Sequence, residues 1–325
     1  MSEPKGLEKI AALANDARRK LPSARAVLSK ADFPYRAPSV PLTVEPAVEE
    51  PTTGSHYDTT WARRLPARYA RFFITEGVIR PAVAAIAQPE RKGLDRLDGL
   101  EGPVVFAANH HSHVDAGLLI TSLPEPHRHQ VFAASAADYF FKTRLTSAAA
   151  ALALNAIPIE RAKVTRRSAD QSAELIDAGW SMVIFPEGGR SPDGWGQPFK
   201  GGAAYLAIRC HVPVVPVHLQ GTGRILPKGA KSIKPGRSVV TFGQPLHPIE
   251  GESSQKFAAR LHREVEALAD EATSDWYGAR QRAHASSSPS LSGPTAGAWR
   301  RTWALGDRRP RKTRAASGPS WPDLD

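Results

Sequence analysis

The chain has 325 residues, enough to bury a substantial core in one large domain with flexible ends or in two smaller ones, and its single cysteine, Cys210, excludes an intrachain disulfide. No apolar run reaches the ~18–20 residues that cross a bilayer, and Met1–Lys5 lacks the basic-then-apolar pattern of a secretory signal, so a cytoplasmic protein without a transmembrane helix is expected. The net charge of +11 is uneven: +1 over residues 1–56, +4 over 57–278 and +6 over 279–325, and a basic tail attracts anionic lipid or nucleic acid alike.

Residues 1–56 read as an N-terminal arm, mostly disordered because residues 22–56 are rich in Pro, Ser, Thr and Glu, with a short helix before them that sets Leu7, Ile10 and Leu13 or Ala14 on one side. Over 61–88, Trp61, Leu65, Tyr69, Phe72, Ile79, Val83 and Ile86 recur at helical steps, with Arg63, Arg64, Arg68 and Arg71 between the early members. Such a helix either lies in a membrane interface or packs on the domain. Pro66 is tolerated in its first turn, and Pro81 is expected to kink it.

From 103 to about 273, strand-like and helix-like segments alternate. Val104–Ala108, Val131–Ala134, Met182–Phe185, Val214–Leu219 and Ser238–Phe242 read as strands, and Leu118–Ser122, Arg144–Leu154, Ser168–Ala178, Ala203–Cys210 and Gln255–Glu271 as helices. The alternation predicts an α/β fold: one domain over 57–278 with a largely parallel central sheet flanked by helices. Pro213 and Pro216 suggest a strand that begins late or lies at an edge. Residues 279–325 read as a disordered basic tail punctuated by Trp299, Trp303 and Trp321.

Four stretches carry chemistry or flank it. Asn109-His110-His111-Ser112-His113-Val114-Asp115 follows an apolar run and sets a histidine and a carboxylate five positions apart. A carboxylate can orient such an imidazole as a general base. Two other readings compete: Ser112 and Asp115 as a helix cap, and His111, His113 and Asp115 as zinc ligands, although the candidates for further ligands, such as His127 or His218, have no convincing spacing. Phe185-Pro186-Glu187-Gly188-Gly189-Arg190-Ser191 ends another strand. Its glycines permit close approach of a ligand, and Arg190 offers a fork suited to phosphate. Ile157-Pro158-Ile159-Glu160-Arg161 adds a second arginine, Phe199-Lys200-Gly201-Gly202 precedes a helix, and Val212–Val217 reads as a wall or core strand.

In this order the blocks resemble the glycerolipid acyltransferase family that includes 1-acylglycerol-3-phosphate acyltransferase. Its N-H-x-S-x-x-D block is matched at Asn109, His110, Ser112 and Asp115, its I-x-I-x-R block at Ile157, Ile159 and Arg161, its F-P-E-G-T-R-S block with Gly189 for threonine, and its V-P-(I/V)-(I/V)-P-V block throughout. The glycine often found before the second block is Asn155 here. The resemblance covers about residues 75–250. It implies an acyltransferase domain that moves a fatty acyl group from acyl-CoA or acyl-carrier protein to the hydroxyl of a lysophospholipid, with 1-acylglycerol-3-phosphate the leading acceptor and phosphatidic acid the product. His110 and Asp115 would be the catalytic residues; Glu187, Gly188, Arg190 and Arg161, with Lys200, would bind the acceptor's phosphate. No metal or organic cofactor is required, and no acyl-enzyme, since no G-x-S-x-G elbow is present. Other acceptors, such as glycerol-3-phosphate or another lysolipid, and a non-catalytic lipid-binding protein of the same fold are the alternatives. The expected location is peripheral, on an anionic membrane surface at the cytoplasmic face, with no nucleic-acid partner because no readout module is visible.

Overall fold

The computed structural model describes residues 53–160, 166–230 and 232–292. Seven strands form one sheet: β1 (Pro89–Lys92), β2 (Val105–Ala108), β3 (Val131–Ala136), β4 (Ile157–Ile159), β5 (Ser181–Ile184), β6 (Val214–Gln220) and β7 (Ser238–Phe242), in the order β1-β7-β6-β2-β5-β3-β4. Every pairing is parallel except β6 with β7.

Helices cover both faces, so the central strands are apolar on both sides. Val104, Phe106 and Ala108 point to one face and pack with α3 (Asp115–Ser122), through Leu118 and Leu119, and with α2 (Arg80–Ala87), through Val83 and Ile86. Val105 and Ala107 point to the other, against α5 (Arg166–Asp177), α6 (Gly202–Cys210) and α7 (Ser254–Thr273), through Ala173, Leu206 and Phe257. Full burial of Phe106 alone is worth roughly 1.5–3 kcal/mol.

Pro216 lies in a central strand, not at an edge. Alternation turns the nitrogens of Val214 and Pro216 to the same side of β6, the side of β7. There Val214 and Leu246 exchange hydrogen bonds of 2.9 and 2.8 Å, while at Pro216 the chain has already left β7, and Gly243 N–H donates to the Pro216 carbonyl at 2.8 Å. The missing donor therefore falls where no ladder partner waits. β1, absent from the expected strands, has the sequence Pro-Glu-Arg-Lys, which suits the exposed edge it occupies.

The expected helix over 61–88 divides. α1 (Leu65–Ile74) runs into α2 through a wide π-type turn, Thr75–Ile79. That turn holds Gly77, the residue whose carbonyl the Pro81 ring would otherwise crowd. It also shifts the helical register. Ile79, Val83 and Ile86 meet the body of the domain, whereas Leu65, Tyr69 and Phe72 face solvent together with Phe73. Arg71 turns inward, donates to the Ala62 carbonyl at 2.9 Å and lies over Trp180; burial brings its pKa down to about 10. Arg63 reaches Asn155 and Thr59, which leaves Arg64 and Arg68 as the exposed pair of the four, with the Arg68 guanidinium also over Trp180, 5.4 Å from its centroid.

The C-terminal boundary also differs from expectation. Residues 276–284 form a helix, α8, capped by Asp275, which accepts from Gly278 N–H at 2.8 Å. Arg280 pairs with Glu264 at 2.8 Å and Arg282 with Asp270 at 2.6 Å, so two basic residues assigned to the tail are held by acids of α7. Leu291 N–H then meets Glu266. The three tail tryptophans, the N-terminal helix around Leu7 and nearly all of the arm lie outside the described residues.

Candidate active site

β2 ends at Ala108, and the chain turns over the carboxyl ends of its neighbours β5 and β6, the position where open parallel sheets bind ligands. Asn109 makes the turn. Its buried side-chain amide donates to the Leu219 carbonyl at 2.9 Å and its oxygen accepts from Leu219 N–H at 2.7 Å, replacing one peptide pair of the β2–β6 ladder.

His110 comes next, with Nδ1 2.8 Å from Oδ2 of Asp115, the first residue of α3. The same Oδ2 accepts from the main-chain N–H of His111 and of Ser112, both at 2.7 Å. The carboxylate is fully buried, and the imidazole keeps 20% of its surface exposed. An ionised carboxylate at Nδ1 fixes the proton there, which leaves Nε2 as the basic nitrogen. No described residue hydrogen-bonds to that nitrogen. The ring lies against Phe185, centroids 4.2 Å apart at 19°.

The helix-cap reading is half right. Asp115 reaches back to Ser112 N–H, as in a capping box, but Ser112 Oγ instead donates to the Leu226 carbonyl at 2.9 Å. Oδ2 of Asp115 is therefore shared between His110 and the loop, and His111, His113 and Asp115 do not gather their ligand atoms into one cluster; among the described residues such a trio forms only at Glu76, Glu125 and His129. Burial lowers the pKa of His111 and of His113, and the Arg190 charge adds to the effect at His113. Both are therefore neutral near pH 7.

Glu187 follows β5 and is buried, with Oε1 accepting His110 N–H at 2.9 Å and Oε2 accepting Gln197 N–H at 3.1 Å. Its geometry is that of a clamp between loops. Gly188 has φ +73°, and a Cβ there would stand 2.5 Å from Lys200 Nζ. Lys200 is brought to this spot by its own N–H, which donates to the Pro186 carbonyl at 2.9 Å. Arg190 lies over the ring of Tyr139, 5.6 Å from its centroid, and the Tyr139 hydroxyl meets His113 Nε2 at 3.2 Å. Two cations and an open glycine backbone thus gather in the loop after β5, the loop whose Glu187 grips His110. Arg161 lies outside the described residues.

A family model described as acyltransferase matches residues 87–220. This stretch is similar to the acyltransferase family. The chain is 34% identical over 149 residues to the chloroplast 1-acyl-sn-glycerol-3-phosphate acyltransferase of Brassica napus, covering 44% of this chain and 40% of the relative. It is 31% identical over 132 residues to the 1-acyl-sn-glycerol-3-phosphate acyltransferase of Pseudomonas aeruginosa, covering 40% of this chain and 50% of the relative. The chain thus spans half or less of these relatives' length. The crystal structure of the 1-acyl-sn-glycerophosphate acyltransferase from Thermotoga maritima superposes with a TM-score of 0.49 at 21% identity, covering 65% of this chain and 81% of that one.

Four residues contribute to the site without a role expected from sequence. Asn109 and Phe185 stood within the quoted blocks without a role. Gln197 and Tyr139 lay outside the blocks, and no local signal marks them; strand order alone brings them in. Asn155 finds its explanation here: it caps α4 (Arg144–Leu154) with φ +48°, a left-handed position open to Asn as well as to Gly, and its amide donates to the Val131 carbonyl at 3.0 Å.

Proposed function

We propose that the protein transfers a fatty acyl group from acyl-CoA or acyl-carrier protein to the free hydroxyl of a lysophospholipid, with 1-acylglycerol-3-phosphate as the acceptor and phosphatidic acid as the product. The observation that carries this reading is the His110–Asp115 pair at 2.8 Å, with Nε2 left for a substrate hydroxyl. The names of the relatives support the acceptor class.

His110 Nε2 takes the proton of the acceptor hydroxyl as its oxygen attacks the thioester carbonyl carbon. Asp115 stabilises the imidazolium so formed. The tetrahedral adduct collapses, the carbon–sulfur bond breaks, and the thiolate leaves and recovers the proton from His110. The acyl group arrives already activated as a thioester, so the step as written needs no metal or organic cofactor. Lys200 and Arg190, with Gly188 backbone beside Lys200, bind the acceptor's phosphate, and Arg161 belongs with them. Glu187 holds the loop that carries His110.

The acceptor is a membrane lipid, and the protein works as a peripheral enzyme at the cytoplasmic face. No helix among the described residues is long and apolar enough to cross a membrane. Leu65, Tyr69 and Phe73 instead form an apolar row on α1, each more than 60% exposed, beside Arg64 and Arg68. Such a row suits insertion into the headgroup region, with arginines at anionic lipid.

The test is a radiolabelled acyl-CoA assay against a panel of lysolipids, with product analysis. Labelled phosphatidic acid formed from 1-acylglycerol-3-phosphate, and lost in His110→Ala, is the expected result. Transfer confined to a neutral lysolipid would overturn the acceptor, and retained transfer in His110→Ala would overturn the mechanism.

A further inference from the structure

A second basic site stands on the other side of the histidine loop. An open cleft of about 430 Å³ is lined by His111, Gln220, Gly221, Gly223, Arg224 and Arg237. Its volume falls within the range of small-molecule sites. We propose that this cleft binds the phosphate of a phosphopantetheine thioester, the end of the acyl donor remote from its sulfur. This inference rests on the acyl-transfer reading above.

Three observations support it. First, neither Arg224 nor Arg237 makes a side-chain hydrogen bond or ion pair with any described residue. Some arginines elsewhere are matched, such as Arg260 with Glu252 and Arg282 with Asp270, while the exposed Arg64 and Arg91 are not; what sets Arg224 and Arg237 apart is that both line one cleft. Both are exposed, so a phosphate bound there would meet two guanidinium forks. Second, glycine opens the cleft floor. Gly221 has φ +86°, and a Cβ there would stand 2.5 Å from the Arg237 carbonyl, so only glycine lets the turn after β6 lie against the strand that presents Arg237. Third, His111, which lines the cleft, has a buried Nε2 with no hydrogen bond to any described residue.

The cleft is tied to the base. His111 lines it with its side chain and holds Asp115 Oδ2 with its main-chain N–H at 2.7 Å. Ser112 pairs with Pro227 and donates to the Leu226 carbonyl, so the segment carrying Arg224 is fastened to the same loop. The cations around Gly188 serve a substrate whose phosphate and reacting hydroxyl lie close together on one glycerol unit. A donor needs a separate site, because the pantetheine arm sets its phosphate far from the thioester. Acyl-CoA and acyl-carrier protein share this phosphate, and acyl-CoA adds the nucleotide.

The experiment uses the full chain and the variants Arg224→Gln, Arg237→Gln and the pair. KM is measured for acyl-CoA, for acyl-carrier protein and for the lysophospholipid, and the rate is also followed with an acyl N-acetylcysteamine thioester, which has no phosphate. Donor KM should rise about tenfold for each arginine. The acceptor KM should stay within about twofold, and the cysteamine thioester should react as with the parent protein. An equal increase with acyl-CoA and with carrier protein supports the shared phosphate; an increase for acyl-CoA alone would assign the nucleotide phosphates and overturn the phosphopantetheine assignment. A rise in acceptor KM, an equal loss with the cysteamine thioester, or an unchanged donor KM overturns the site. Calorimetric titration of CoA without acceptor separates the two readings. A parent protein that binds CoA through both arginines yet transfers nothing refutes the transfer reading and keeps the site. An active protein whose CoA affinity ignores both arginines keeps the reading and refutes the site.

Discussion

The imidazole of His110 is held from two directions: edge-on by Asp115 Oδ2 at 2.8 Å and face-on by the Phe185 ring at 4.2 Å. The carboxylate sets the tautomer and the phenyl ring sets the plane, so Nε2 has one direction in which to accept a proton. Phe185→Leu keeps an apolar wall but loses the flat face. It should lower kcat about tenfold, near 1.4 kcal/mol in the barrier, with little change in KM. An unchanged kcat would show that Asp115 alone orients the ring.

His110→Ala should abolish transfer while the protein stays folded by circular dichroism. Asp115→Asn should cost about 10²–10⁴-fold in kcat, because the imidazolium loses its counter-charge and the tautomer is no longer fixed. The measurement is thioester release in the presence of acceptor. An asparagine variant within tenfold of the parent would mean that the carboxylate serves the loop and not the base.

Arg190→Ala and Lys200→Met should mainly raise KM for a phosphorylated acceptor, about tenfold each, with kcat retained. Gly188→Ala should behave similarly and also destabilise the fold by about 1 kcal/mol, since a left-handed position is filled and Lys200 is displaced. Equal KM values for the parent and all three variants would move the phosphate elsewhere.

Burial, with the nearby His111, brings the pKa of His218 down to about 3. The unfolded chain therefore takes up a proton near pH 6.5 that the folded chain refuses until about pH 3. The stability this site contributes is complete above pH 6.5 and falls as the pH drops towards 3, on the order of 1.4 kcal/mol per pH unit. In urea titrations across that window, His218→Gln should flatten the pH dependence by about one proton. Parallel slopes for the parent and the variant would refute the assignment.

Tyr69→Ser with Phe73→Ser should weaken binding to vesicles containing anionic lipid by about 10–100-fold. Transfer to a short-chain, soluble acceptor should be unaffected. Full vesicle binding by this double variant would place the membrane contact away from α1.

Legibility from sequence followed burial. β2, β5 and β6 are apolar on both faces, and each announces itself as an apolar run; β1, an edge of Pro-Glu-Arg-Lys, carries no such signal. Pro216 misled because a rule about ladder donors needs the neighbour's path, and β7 leaves at Gly243. The His110–Asp115 pairing was readable because five residues span a loop and one helix start. Glu187 as clamp, Phe185 as stacking partner and Tyr139 beneath Arg190 were not, because they meet only after β5 is set beside β2 and β3. The tail was misjudged at residues 280 and 282 because Ser, Pro and Arg composition hides specific acids waiting on α7.

One oxygen atom of Asp115 receives the base and two main-chain donors of the loop that carries it. The shape of the loop and the readiness of the base are thus one event. In a copy of the protein whose loop has opened, the same carboxylate oxygen no longer fixes the tautomer of His110. Turnover therefore reports loop order directly, and activity loss during gentle heating should precede loss of helix signal.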